Sequence, residues 1–116
     1  MADLVVNGDV LEVHLSATER LESLHGNISV PLSAVRTVDV LDDAMKAIHG
    51  MRVGTGIPGM TAVGNFLAKN SRVFAVIHHD EHRGVRVKLE GASFDELIIG
   101  CANPQEVADA IPVTAT

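Results

Sequence analysis

The densest group of chemistry-bearing side chains is His78-His79-Asp80-Glu81-His82. Imidazoles and carboxylates are the donors that hold zinc and related divalent cations, and a stable site takes three or four of them. Successive residues of a strand point to opposite faces. A site on His78, His79 and His82 therefore needs a turn that folds the segment back on itself, with His14, His25 and His49 as the distant donors available. A divalent ion held here would make the chain a small metal-dependent enzyme. The competing reading is a polar hairpin turn, because Asp80-Glu81-His82-Arg83-Gly84 is ordinary turn composition. We adopt the turn, and expect no cofactor.

The second group is Gly54-Thr55-Gly56-Ile57-Pro58-Gly59, a literal G-x-G-x-x-G. That motif binds a pyrophosphate when it follows a strand and opens a helix, so that backbone amides face the phosphates. Here Met60-Thr61-Ala62-Val63-Gly64 follows, and it reads as a strand. A looser anion nest remains open, built on Gly54, Gly56 and Gly59 with Arg52, Lys69 and Arg72 as cations. Against it stands a loop whose glycines serve tight turns.

Other nucleophiles and acids have simpler roles. Cys101 follows Leu97-Ile98-Ile99-Gly100 and reads as a small buried hydrophobe with no base beside it. Ser16 and Ser33 suit capping and turns, as do Asp42-Asp43 and Asp95-Glu96. The chain contains neither G-x-S-x-G nor H-E-x-x-H.

These residues must be placed by short elements. Asn7-Gly8-Asp9 turns a hairpin of strands 3–6 and 9–15. Ser16 and Glu19 form a capping box for a short helix over 17–25, stopped at Gly26-Asn27. Strands follow at 28–31 and 35–41, then a turn or short helix over 43–49. Residues 50–64 hold five of the ten glycines and read as a loop or irregular connection. A meander follows, with strands at 60–67, 72–78, around 85–89 and 97–101, and residues 79–83 turning the chain. Asn103-Pro104 opens a last helix with asparagine as N-cap, and Pro112 ends it. Short strands in meander order favour antiparallel pairing, and the absence of alternating βαβ units argues against a doubly wound sheet. The expectation is a mainly β (α+β) domain spanning residues 1–116, a small antiparallel barrel or bent sandwich with an early helix and a C-terminal capping helix.

Composition narrows the function. The chain has 116 residues, 47% of them hydrophobic, but only 3% aromatic, with no Trp or Tyr. Proteins that stack single-stranded bases use aromatic platforms, which this chain lacks. The net charge of −6 repels nucleic-acid backbones. It is unevenly spread: residues 1–48 carry eight acids and three bases, 49–88 two acids and six bases, and 89–116 five acids and no base. A lone cysteine and no signal-like start fit a cytoplasmic protein. No apolar run approaches the roughly 20 residues of a membrane helix.

Several stretches carry a resemblance: Ile28-Ser29-Val30-Pro31-Leu32-Ser33-Ala34-Val35-Arg36, Gly54-Thr55-Gly56-Ile57-Pro58-Gly59, Leu89-Glu90-Gly91-Ala92-Ser93-Phe94 and Asn103-Pro104-Gln105-Glu106. On these the chain resembles a family of small uncharacterised actinobacterial proteins with a pleckstrin-homology-like fold. The resemblance implies a strand barrel capped by a C-terminal helix, and it carries no catalytic residues. The expected function is a non-catalytic binding module for a protein or peptide, or for self-association, through an exposed strand edge. The alternatives are an anion or lipid-headgroup binder on the basic middle segment, and the metal-dependent enzyme on 78–82.

Overall fold

Two residues make the first turn possible. Gly8, at φ 64, and Asp9 link β1 (Asp3–Asn7) to β2 (Val10–His14). A two-residue loop with glycine in its first position matches the right-handed twist of the strands it joins. Asn7 stays in the strand, paired with Val10. Behind β2 lies β3 (Ile28–Pro31), antiparallel, with Leu11 opposite Val30 and Val13 opposite Ile28. Those four side chains are buried, while Glu12, Ser29 and Pro31 face outward. The period-2 alternation of the sequence thus becomes one apolar face of a three-stranded sheet, in the order β1-β2-β3. The computed structural model describes residues 3–15, 28–47, 55–57, 61–68, 71–78 and 81–113. The helix expected over 17–25 lies outside them.

A 3-10 turn, Leu32–Ala34, leads directly into the second sheet. Its elements are β4 (Val35–Leu41), the short helix α1 (Ala44–Ala47), β5 (Thr55–Ile57), β6 (Thr61–Ala68), β7 (Ser71–Ile77), β8 (Gly84–Leu89) and β9 (Glu96–Gly100). The helix α2 (Pro104–Ala110) follows. The six strands stand in the order β4-β8-β9-β7-β6-β5.

This arrangement corrects the sequence reading in three places. The strands form two open sheets rather than a closed barrel. The last three strands do not make a meander: β9 inserts between β7 and β8 and runs parallel to β7. The glycine-rich stretch, expected to be a loop, supplies a three-residue strand, β5, paired with β6. At the last helix the expectation holds: Asn103 occupies the N-cap position of α2 and Pro104 opens it, with no capping hydrogen bond from the Asn103 side chain.

Burial explains the insertion of β9. Leu97, Ile98 and Ile99 are apolar on both faces and buried, as are all five residues Val73–Ile77 of β7. Such strands need a cover on each side and take the centre of a sheet. β8 alternates Val85, Val87 and Leu89 with Arg86 and Lys88, needs cover on one face only, and stands between β4 and β9. Gly84 permits the insertion: it pairs with Gly100, and a Cβ there would collide with the carbonyl oxygen of Ile99.

The main core lies where the two sheets meet. Leu11, Val13, Ile28 and Val30 from the small sheet join Phe74, Val76, Val85, Val87, Leu97 and Ile99 from the large one. Phe94 packs its ring on Phe74 at 5.6 Å between centroids, tilted by 54°, a favoured arrangement for aromatic pairs. Ile111, Val107 and Ala108 bring the last helix onto the same cluster. A smaller cluster on the opposite face of the large sheet joins Val73, Ala75, Ile77 and Ile98 to Ala44 of α1.

Candidate interaction edge and polar rim

The C-terminal ends of β4, β7 and β9 and the start of β8 meet at one rim of the large sheet. The histidine-rich segment lies there. His78 and Glu81 form an isolated bridge, and the Glu81 N–H donates to the His78 carbonyl at 3.2 Å. Glu81 is occupied by Arg83, whose Nε and NH2 donate to its two carboxylate oxygens at 3.0 and 2.9 Å. This forked pair holds the Glu81 carboxyl below its ordinary range and raises the Arg83 guanidinium. His82 stands 3.8 Å from the Asp43 carboxylate, and its carbonyl accepts the Ala44 N–H at 2.6 Å, which ties α1 to the rim.

Of the three expected metal donors the structure describes two. His78 and His82 are at the rim, each within its own set of contacts, and His79 lies outside the described residues. Among the described residues no group of three or more His, Cys, Asp or Glu side chains is placed to hold a metal ion. The distant donor His14 sits on the other sheet, 3.0 Å from Glu12.

Cys101 follows β9 at the same rim, its N–H donating to the Arg83 carbonyl at 2.8 Å. Burial, with a smaller contribution from the Glu81 charge, pushes its thiol up, partly offset by Arg83. A thiol held protonated is a poor nucleophile, which agrees with a packing role.

Of the anion-nest residues, Gly56 is in β5 and Arg72 in β7, while Arg52, Gly54, Gly59 and Lys69 lie outside the described residues. The Arg72 guanidinium lies 5.9 Å from the centre of the Phe94 ring, a cation–π distance. Its backbone is pinned by Asp95: the Arg72 N–H donates to the Asp95 carboxylate at 2.7 Å, and the Asp95 N–H donates to the Arg72 carbonyl at 2.8 Å. Arg72 thus fastens the start of β7 to the turn before β9.

A different feature stands out at the sheet edges. Sheets protect their edges with short strands, proline, bulges or basic side chains. β3 has four residues and ends in Pro31, β5 has three, and β4 carries a register shift at Arg36 together with charged side chains. Among the described residues β1 has no proline, bulge or basic side chain, and Asp3 is its one charge. It has five residues, DLVVN, pairs among the described residues with β2 alone, and leaves Val5 and Val6 each 37% exposed.

Hairpin geometry fixes which backbone groups β1 offers. The two-residue loop makes Asn7–Val10 the hydrogen-bonded pair that closes the hairpin, and the pattern alternates from there. Val5–Glu12 and Asp3–His14 are then bonded pairs too, and the N–H and C=O groups of Leu4 and Val6 point away from β2. The same alternation carried across β2 makes Val10–Pro31 a non-bonded pair, consistent with a proline that has no N–H to give.

No family model, curated protein or solved structure matches this chain.

Two features escaped sequence reasoning. One is that β1 ends its sheet among the described residues, with Leu4 and Val6 turned away from β2, because a hydrophobic pattern shows which side chains are buried but not which strand ends a sheet. The other is the charged row Asp39, Arg86 and Glu96 across β4, β8 and β9, where Arg86 stands 3.8 Å from each carboxylate. The register sets Asp39 opposite Arg86 and leaves Glu96 on the diagonal, opposite Lys88, a juxtaposition the sequence does not show.

Proposed function

We propose that this protein is a non-catalytic binding module that takes an extended segment of a protein or peptide onto β1. The observation that carries the proposal is that β1 pairs with β2 alone among the described residues, with the outward N–H and C=O of Leu4 and Val6 beside the exposed Val5 and Val6. Strand addition draws affinity from main-chain hydrogen bonds and specificity from alternate side chains. Two side chains at the rim have roles that fit the same reading: Glu81 is paired with Arg83, and Cys101 packs against the core with its thiol pushed up by burial. The pleckstrin-homology-like assignment belongs to this proposal as well, with two departures: the strands form two open sheets rather than a closed barrel, and the parallel β7–β9 pair interrupts the antiparallel order expected of it.

The test is an NMR titration with a library of extended, β-branched peptides. Binding on β1 shifts the Leu4 and Val6 amides first and slows their exchange. Peptides that bind elsewhere, or none that bind, would refute the assignment.

A further inference from the structure

We propose that the segment β1 accepts is β1 of a second copy, forming a two-fold dimer in which the two small sheets join into one. This inference rests on the edge-binding reading above and names its partner.

The argument is one of register. An antiparallel pair of β1 strands with its axis at Val5 sets Val5 against Val5, Leu4 against Val6, and Asp3 against Asn7 of the second copy. Val5 already gives its N–H and C=O to β2, so across the axis it must form a non-bonded pair, the type in which side chains approach most closely. Leu4 and Val6, whose polar groups point outward, then form the two bonded pairs, giving four new main-chain hydrogen bonds. A register moved by one residue would place Val5, whose N–H and C=O are already taken, where a bonded residue is needed.

The side chains match on both faces. Leu4 and Val6 lie opposite the buried Val13 and Leu11, so they share the inner face, and Leu4 packs on the main core. Across the axis they meet the same pair from the second copy and extend the apolar layer. On the outer face the two exposed valines at position 5 meet each other. Each Asp3 carboxylate faces an Asn7 amide, a donor, and no like charges are directly opposed. The strand DLVVN is thus complementary to itself when reversed.

A five-residue edge makes a small interface, in the class of weak, reversible contacts. The chain is expected to dimerise at high concentration and separate on dilution. Sedimentation up to about 1 mM protein, where weak association is populated, tests this on the full chain beside the variant Val6→Pro. Proline is tolerated on an edge strand whose N–H faces solvent. Val6→Pro therefore removes an outward donor while leaving the β1–β2 bonds in place, and circular dichroism checks that the variant is folded.

A second measurement uses cysteine pairs in a Cys101→Ser background. Opposed residues of a non-bonded pair lie about 4.5 Å apart at Cα, within disulfide range. Val5→Cys is expected to cross-link under mild oxidation, and Asn7→Cys is not, because the two copies of position 7 lie at opposite ends of the pair. A concentration-dependent dimer abolished by Val6→Pro, with this cross-linking pattern, is the expected result. A chain that stays monomeric, or a dimer that Val6→Pro leaves intact, overturns the proposal. A monomer that still binds extended peptides at Leu4 and Val6 overturns only the choice of partner. A monomer that binds neither overturns the edge reading as well.

Discussion

Replacing Gly84 with alanine puts a methyl carbon against the Ile99 carbonyl oxygen and close to the Gly100 backbone. Neither neighbour is the end of a flexible side chain. Both belong to β9, which is hydrogen-bonded on each side, to β7 and to β8. Relief requires the β8–β9 pair to spread, a change of the overpacking kind that costs about 1–3 kcal/mol. For 116 residues the entropy of unfolding is about 0.24 kcal/mol per kelvin. The expected fall in Tm is then about 4–12 °C. With no Trp or Tyr in the chain, urea and thermal unfolding are followed by far-ultraviolet circular dichroism. Gly91→Ala is an instructive companion: at φ 79 it meets no atom, so its penalty is backbone strain alone. A Gly84→Ala protein within about 0.5 kcal/mol of the parent, the range of an ordinary surface change, would refute the close approach of β8 and β9 and with it the central position of β9.

Leu11→Ala empties a fully buried position between the sheets and is expected to destabilise by about 2–5 kcal/mol, read from urea unfolding. Arg83→Ala releases the Glu81 carboxylate, whose titration by NMR should return upward to the ordinary range. Because the folded Glu81 pKa is lowered, the stability it contributes is present above the ordinary glutamate range and lost as pH falls through the lowered value. The stability gap between parent and Arg83→Ala should therefore close in acid. The raised Cys101 thiol predicts slower alkylation by iodoacetamide than a free thiol near pH 8, with the rate rising only at more alkaline pH.

Much of the local structure was legible in the sequence. Gly8 set the first turn, Val85, Val87 and Leu89 announced a half-buried strand, and Pro104 marked the start of the last helix. Strand order was not legible, for a physical reason. The sequence Leu97-Ile98-Ile99 requires cover on both faces but does not say which neighbours supply it, and chain order suggested β8 and a meander. The close approach at Gly84, visible only in three dimensions, admits β9 between β7 and β8. The candidate site followed the same rule. The histidine cluster drew attention by residue type, yet the rim engages Glu81 with Arg83 and ties the His82 backbone to α1. DLVVN contains no unusual residue and gains its interest from being, among the described residues, last in its sheet.

Amide hydrogen exchange along β1 tests the central claim most directly. In dilute protein, Val5 and Asn7 N–H groups should be protected by β2, while those of Leu4 and Val6 exchange freely. Raising the protein concentration, or adding a peptide that binds, should protect Leu4 and Val6 and leave the rim amides of Glu81 and Cys101 unchanged. Protection of Leu4 and Val6 already in the dilute monomer, or protection that never follows association, would contradict an open edge on β1.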